Sequence, residues 1–164
     1  MGDEALELAT GSPEQTQAMA AAFAGLCVPD DVIGLEGTLG AGKTCFVKGL
    51  ARGLGLDDER AVASPTFVLL RIYPGRLTLY HFDAYRLRDA ADMEEIGCAE
   101  TFGSGGLSVV EWADHVAGCL PAEHFTLAIR VTGATDRRFR LTAGGPEAGR
   151  RLAEIGRALA AWRA

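Results

Sequence analysis

Eight consecutive residues, Gly37-Thr38-Leu39-Gly40-Ala41-Gly42-Lys43-Thr44, join three glycines to a lysine and a hydroxyl. In such a G-x-x-x-x-G-K-T run the glycines allow backbone conformations and close approach that a β-carbon obstructs. Successive N–H groups of Leu39, Gly40, Ala41, Gly42, Lys43, Thr44 and Cys45 can then face inward as an anion nest. At a helix N-terminus the unsatisfied donors and the macrodipole favour phosphate. Lys43 can reach the β- and γ-phosphates of a nucleoside triphosphate, and the Thr44 hydroxyl can serve Mg²⁺.

Phosphoryl chemistry at such a loop also needs an acid near the metal and a group that orients the nucleophile. Asp83 follows the apolar run Leu77 to Phe82, and Glu111 follows Leu107 to Val110. Each acid therefore closes a strand at the sheet edge where ligands of open α/β proteins collect. The plainer reading makes Glu111 a solvated strand end and lets Ala84-Tyr85-Arg86 cap or pair with Asp83 locally. Lys43, Asp83 and Glu111 form the candidate catalytic set, and the residues alone leave open which of the two acids joins Thr44 in holding the metal. His81 shares a strand face with Asp83, and a structural hydrogen bond is its expected role, so it stands outside that set.

These groups must be positioned by strands and helices that the periodicity marks out. A first strand over Glu4 to Thr10 leads to Ser12-Pro13-Glu14-Gln15, which reads as a helix start with a capping box. The apolar stripe of that helix runs to Ala24. Val32 to Glu36 is a short buried strand entering the glycine loop, and Phe46, Val47, Leu50 and Leu54 describe the helix leaving it, with Gly53 or Gly55 as its end. Phe67–Tyr73 and Leu77–Phe82 read as a hairpin across Pro74-Gly75-Arg76. An acidic helix over Ala91 to Glu100 and the strand Leu107 to Val110 follow. Phe125–Val131 and Arg138–Thr142 form a second hairpin, and an arginine-rich helix covers about 146–163. The pattern predicts an α/β, P-loop NTPase-like three-layer sandwich with a mixed, mainly parallel central sheet.

The chain's 164 residues suit a single domain over 1–164, with 48% hydrophobic and 23% charged residues as in ordinary globular proteins. The net charge of −6 argues against binding nucleic acid by electrostatics alone. From Arg130 onward, however, eight arginines face three acids, leaving the preceding part at −11. That end reads as a solvated face of helix and strand. Cys27, Cys45, Cys98 and Cys119 show neither C-x-x-C pairing nor zinc spacing, so reduced thiols are expected. The start M-G-D-E-A-L carries no signal-like apolar run, and a cytoplasmic protein without membrane contact is the expectation.

Taken together the motifs resemble the TsaE family, ATPases of tRNA threonylcarbamoyladenosine biosynthesis. The resemblance runs through G-T-L-G-A-G-K-T-C-F-V-K-G-L-A-R-G-L-G, S-P-T-F at Ser64 to Phe67, H-F-D-A-Y-R-L at His81 to Leu87 and V-V-E-W at Val109 to Trp112, covering about the first 115 residues. It implies ATP binding at Gly40 to Thr44, Mg²⁺ held by Thr44 and Glu111, and activity that needs Asp83. It further implies a nucleotide-sensing segment Ser64-Pro65-Thr66-Phe67 and closure of the site by Trp112. Hydrolysis would be coupled to TsaD and TsaB, which modify adenosine in tRNAs reading codons that begin with A, so tRNA would be met through these partners. Thr38 stands where the family commonly has an acid and Cys45 where it commonly has threonine. Two other classes fit the loop: a small-molecule kinase with Arg137, Arg138 and Arg140 as lid arginines, and a nucleotide-gated interaction module.

Overall fold

The glycine loop sits at the end of a central strand of one seven-stranded sheet, ordered β1-β7-β6-β2-β5-β4-β3. The strands are β1 (Ala5–Thr10), β2 (Val32–Glu36), β3 (Leu70–Tyr73), β4 (Leu79–Asp83), β5 (Leu107–Glu111), β6 (Phe125–Val131) and β7 (Arg137–Ala143). The structure is a computed structural model that describes residues 4–56, 58–65 and 67–164. Strands β6, β2, β5 and β4 run parallel, and β7, β1 and β3 add antiparallel margins. The sheet is mixed as expected, and its parallel part is the centre, where both faces are covered by helices.

Period-two alternation along the strands splits the apolar residues between two faces. Ile33, Leu35 and Val109 point toward helices α1 (Pro13–Ala24), α2 (Lys43–Gly53) and α5 (Pro146–Ala158). Val32, Phe82 and Val110 point the other way, toward α3 (Ala90–Glu95), α4 (Cys98–Phe102) and a 3₁₀ stretch over Ala113–Cys119. Three layers result.

Local chemistry explains most of the boundaries. Ser12 caps α1 by accepting from the Gln15 N–H at 3.1 Å. The Gln15 side chain reaches back to the Gly11 N–H at 2.7 Å, one residue earlier than in a capping box. Helix α2 ends at Gly53, and Gly55 takes the left-handed turn beyond it, at φ +84°. The acidic stretch expected as one helix is broken, because Gly97 turns left-handed at φ +79° and starts α4 afresh. The strand expected from Phe67 begins only at Leu70, since Leu69 has φ +71° and its N–H is taken by the Pro65 carbonyl. The C-terminal helix stops at Ala158, short of 163. A 3₁₀ turn over Ala160–Trp162 follows, and the chain returns to β1, where Arg163 bridges Leu8 and the Ala164 N–H reaches Glu7 O at 3.1 Å.

The placement of α2 depends on how closely it lies on α1. A β-carbon at Gly49 would stand 2.5 Å from Gln17 O and 2.6 Å from the Ala20 methyl; at Gly53 it would stand 2.5 Å from Ala21 O. Glycines four residues apart make a groove into which the alanine face of α1 sinks. Overpacking against backbone has little room to relax. Gly49→Ala is expected to lower stability by about 1–3 kcal/mol, read as a lower urea midpoint with unchanged slope; a wild-type midpoint would mean that the two helices have slack.

Candidate functional site

Gly40 and Gly42 adopt φ of +78° and +111°, a region that side chains rarely enter, and this bends the loop back over the start of α2. Gly42 is the N-cap of α2 without any side-chain cap, so the N–H groups of Lys43, Thr44 and Cys45 have no acceptor within the helix. The Ala41 N–H is differently used: it donates to Thr38 O at 3.0 Å, and the Ala41 side chain is buried in the core. The Leu39 side chain stands in solvent.

Behind the loop lies Arg137 of β7. Its Nε donates to Ala41 O at 2.9 Å and its guanidinium also reaches Gly40 O at 3.5 Å, while further donations go to Gly133 O and Asp136 O. Holding these carbonyls from outside fixes the peptide planes of the loop. Arg138 and Arg140 share the strand, with Arg140 paired to Glu7 at 2.7 Å and Arg138 exposed.

Lys43 folds over the loop, donating to Gly37 O at 2.6 Å and Thr38 O at 2.9 Å, and its ammonium lies 3.8 Å from the centre of the Trp112 ring. Burial pulls this ammonium below its usual range, against the opposing pull of Glu111, Asp114 and Asp83. Trp112 itself is left-handed at φ +61° and packs on Tyr85, with ring centres 5.0 Å apart. A tryptophan in this region is strained, and strain of this kind concentrates at functional segments.

The two strand-end acids are in-register neighbours: Asp83 faces Glu111 across the parallel pair β4–β5. Both are almost fully buried, which removes the solvated strand-end reading of Glu111. Thr44 Oγ1 donates to Glu111 at 3.1 Å from Oε1 and 3.3 Å from Oε2. His81 Nε2 meets Glu111 Oε2 at 2.5 Å, so the structural hydrogen bond expected of His81 goes to Glu111. Asp83 receives the Ser64 hydroxyl at 2.5 Å on Oδ2 and the Tyr85 N–H at 2.8 Å on Oδ1, the second being the local capping foreseen for it.

A cleft of about 410 Å³ gathers these groups, lined by Leu39, Gly40, Gly42, Lys43, Thr44, Cys45, Ser64, Asp83, Tyr85, Glu111 and Trp112. Pro65, next to Ser64 in the chain, is buried, and Thr66 lies outside the described residues. Tyr85 was missed as a site residue by sequence reasoning, and Arg137, singled out only as a lid arginine of the kinase alternative, was not expected to hold the loop. The alternation Asp83, Tyr85 was the available signal for Tyr85, but Arg137 is remote in sequence from the loop it holds. A second cleft, also about 410 Å³, is lined by Thr10, Gly11, Thr132 and Arg137, the last of which also holds the loop.

A family model described as threonylcarbamoyl adenosine biosynthesis protein TsaE matches residues 10–139. The chain is 43% identical over 141 residues to the tRNA threonylcarbamoyladenosine biosynthesis protein TsaE of Bacillus subtilis (strain 168), covering 85% of this chain and 87% of that one. It is 49% identical over 108 residues to TsaE of Treponema pallidum (strain Nichols), covering 66% of this chain and 78% of that protein. The crystal structure of Bacillus subtilis YdiB aligns with a TM-score of 0.80 at 35% identity, over 96% of this chain and 97% of its own. The chain belongs to the TsaE family.

TsaE membership ties the protein to threonylcarbamoyladenosine biosynthesis in tRNA. The TsaE match also passes the segment where the motifs end, near residue 115, and takes in β6 and the start of β7, including Arg137. No helix among the described residues is long and apolar enough to cross a membrane.

The Arg137 contacts generate a test on the protein alone. Arg137→Ala removes the donors to Gly40 O and Ala41 O, and a hydrogen bond from a charged group contributes about 1.5–3 kcal/mol. Amide hydrogen exchange at Ala41 and Phe46, whose N–H groups are held by Thr38 O and Gly42 O, should then quicken by about 10-fold or more, with α5 amides unchanged. Equal exchange in both proteins would show that the loop holds its shape without the arginine.

Proposed function

We propose that the protein is an Mg²⁺-dependent P-loop ATPase, stimulated by TsaD and TsaB, that serves threonylcarbamoyladenosine formation on tRNA. The observation that carries this reading is the convergence, in one cleft, of free helix N-terminal donors, Lys43, the Thr44–Glu111 pair and Asp83. In this reading the N–H groups of Lys43, Thr44 and Cys45, with Gly40 and Gly42, cradle the phosphates. Lys43 exchanges the Gly37 and Thr38 carbonyls for phosphate oxygens, and its desolvated ammonium favours an anion. The nucleoside end has room in the second cleft, whose Arg137 also holds the loop.

Among the described residues no group of three or more His, Cys, Asp or Glu side chains forms a metal cage. Mg²⁺ is commonly held by one or two protein oxygens together with substrate phosphates. Thr44 Oγ1 and Glu111 Oε1, 3.1 Å apart, fit such a shared site and would hold the ion. When bound, Mg²⁺ neutralises charge that develops on the phosphoryl oxygens. Asp83 orients the attacking water once Ser64 moves off its carboxylate, which links the Ser64 segment to turnover. Trp112 and Tyr85 cover the phosphates and exclude bulk water.

Support for a docked partner comes from the rim of the cleft. Of the residues lining it, Leu39 is 83% exposed and Tyr85 is open to solvent, and Phe67 (84% exposed) and Val68 follow Ser64 closely in the chain, an apolar surface unusual beside a charged site. A surface that covers them would also act on the Ser64 segment.

With γ-labelled ATP, the label should appear as inorganic phosphate, and its release should accelerate when TsaD and TsaB are added. A rate indifferent to the partners, or a labelled metabolite in place of phosphate, would overturn the reading. Glu111→Gln and Asp83→Asn should each slow release by about 10²-fold or more, with ATP still bound by Asp83→Asn; near-normal release from both would remove the carboxylates from the chemistry.

A further inference from the structure

His81 is a buried polar group that the proposed chemistry leaves unused. It is fully enclosed on β4, on the face that carries Leu79 and Asp83. Its partner Glu111 lies diagonally across the strand pair, since His81 stands opposite Val109 and Asp83 opposite Glu111. Nε2 meets Glu111 Oε2 at 2.5 Å, while Nδ1 is buried without a hydrogen-bond partner among the described residues.

The pairing fixes the tautomer. A neutral imidazole carries one hydrogen, and Nε2 is the ring nitrogen with an oxygen in reach, so the hydrogen belongs between Nε2 and the Glu111 carboxyl. A hydrogen on Nδ1 would be a buried donor without an acceptor. The same pairing breaks the symmetry of the Glu111 carboxylate. Thr44 Oγ1 stands at nearly equal distances from both oxygens, so nothing in the Thr44 contact alone selects one of them. With Oε2 taken by the imidazole, Oε1 is the oxygen presented to Thr44 and the cleft.

We propose that His81 is a positioning residue for Glu111: its Nε2–H locks one carboxylate oxygen so that the other is presented, together with Thr44, to a divalent cation. Its consequence for metal use rests on the ATPase reading above, whereas the contact itself does not. Groups that orient a metal ligand from behind typically change metal affinity about 10–100-fold when removed. A histidine that only filled space beneath β4 would alter folding stability and leave the metal requirement untouched.

The test uses the full chain and two readouts that need no turnover. In ¹⁵N-imidazole NMR spectra of the ligand-free protein, His81 should carry its proton on Nε2, protected from exchange and far downfield, and Glu111→Gln should move that resonance. In calorimetry with a non-hydrolysable ATP analogue, His81→Phe should raise the Mg²⁺ concentration for half-maximal binding by about 10–100-fold, with metal-free analogue binding unchanged. His81→Gln, which keeps a donor near the Nε2 position, should restore most of the loss. A proton on Nδ1, a resonance indifferent to Glu111→Gln, or a wild-type Mg²⁺ requirement in His81→Phe would each overturn the proposal. If His81→Phe does not fold, the wild-type spectrum and His81→Gln still decide it. Should wild-type protein take up no analogue at all, the ATPase reading fails while the NMR result continues to judge the contact.

Discussion

Everything at this site depends on turning a short stretch of main chain so that its N–H groups face one way at the head of a helix. Left-handed torsion at Gly40 and Gly42 makes that geometry accessible, but glycine also makes it loose, because the unfolded chain has more freedom to lose. Other parts of the fold supply the missing rigidity. Arg137 grips the outward carbonyls of Gly40 and Ala41, Ala41 folds onto Thr38, and α2 is pressed onto α1 through Gly49 and Gly53. The helix that begins at Lys43 therefore has a fixed axis, and its unsatisfied donors a fixed direction.

The sheet does the same for the acids. Because β4 and β5 are parallel and in register, residues that end each strand are forced side by side, which brings Asp83 and Glu111 together. Burial would make two neighbouring carboxylates expensive if they had no partners. Each is instead supplied with donors: Ser64 and the Tyr85 N–H for Asp83, Thr44 and His81 for Glu111. The arginine-rich end, expected as a solvated face, divides by position. Arg138 and Arg157 are exposed, whereas Arg151 reaches Asp31 at 2.6 Å and Leu26 O at 3.1 Å, pinning α5 to the turn that enters β2.

The elements were legible wherever a local signal was strong. The α1 boundaries follow from Ser12 and Pro13, and β2 from an unbroken apolar run ending at the glycine loop. The loop and the strand-end acids were legible too, because strand order and side-chain period bring them together, and Thr44 at the head of α2 meets Glu111 through a hydrogen bond. What escaped depended on torsions and long-range contacts. Gly97 and Leu69 turned left-handed where a continuous helix and a longer strand were expected, and a single sequence does not separate a glycine that breaks an element from one that sits within it. Arg137 was read as a lid arginine of the kinase alternative and not as a support of the loop, since its contacts with the loop span 96 and 97 positions. His81 pointed in sequence to Asp83, two residues away, but the register of β5 offered Glu111 instead.

The central claim is that this cradle of main-chain donors, with Lys43, Thr44 and Glu111, receives a metal-bound triphosphate. Isothermal calorimetry of the folded chain with ATP and Mg²⁺ tests it most directly. One site per chain is expected, weakened by at least about 10-fold in Lys43→Ala, the loss of a charged contact of about 1.5–3 kcal/mol. No heat of association at millimolar ATP and Mg²⁺, or binding equally strong in Lys43→Ala, would contradict it.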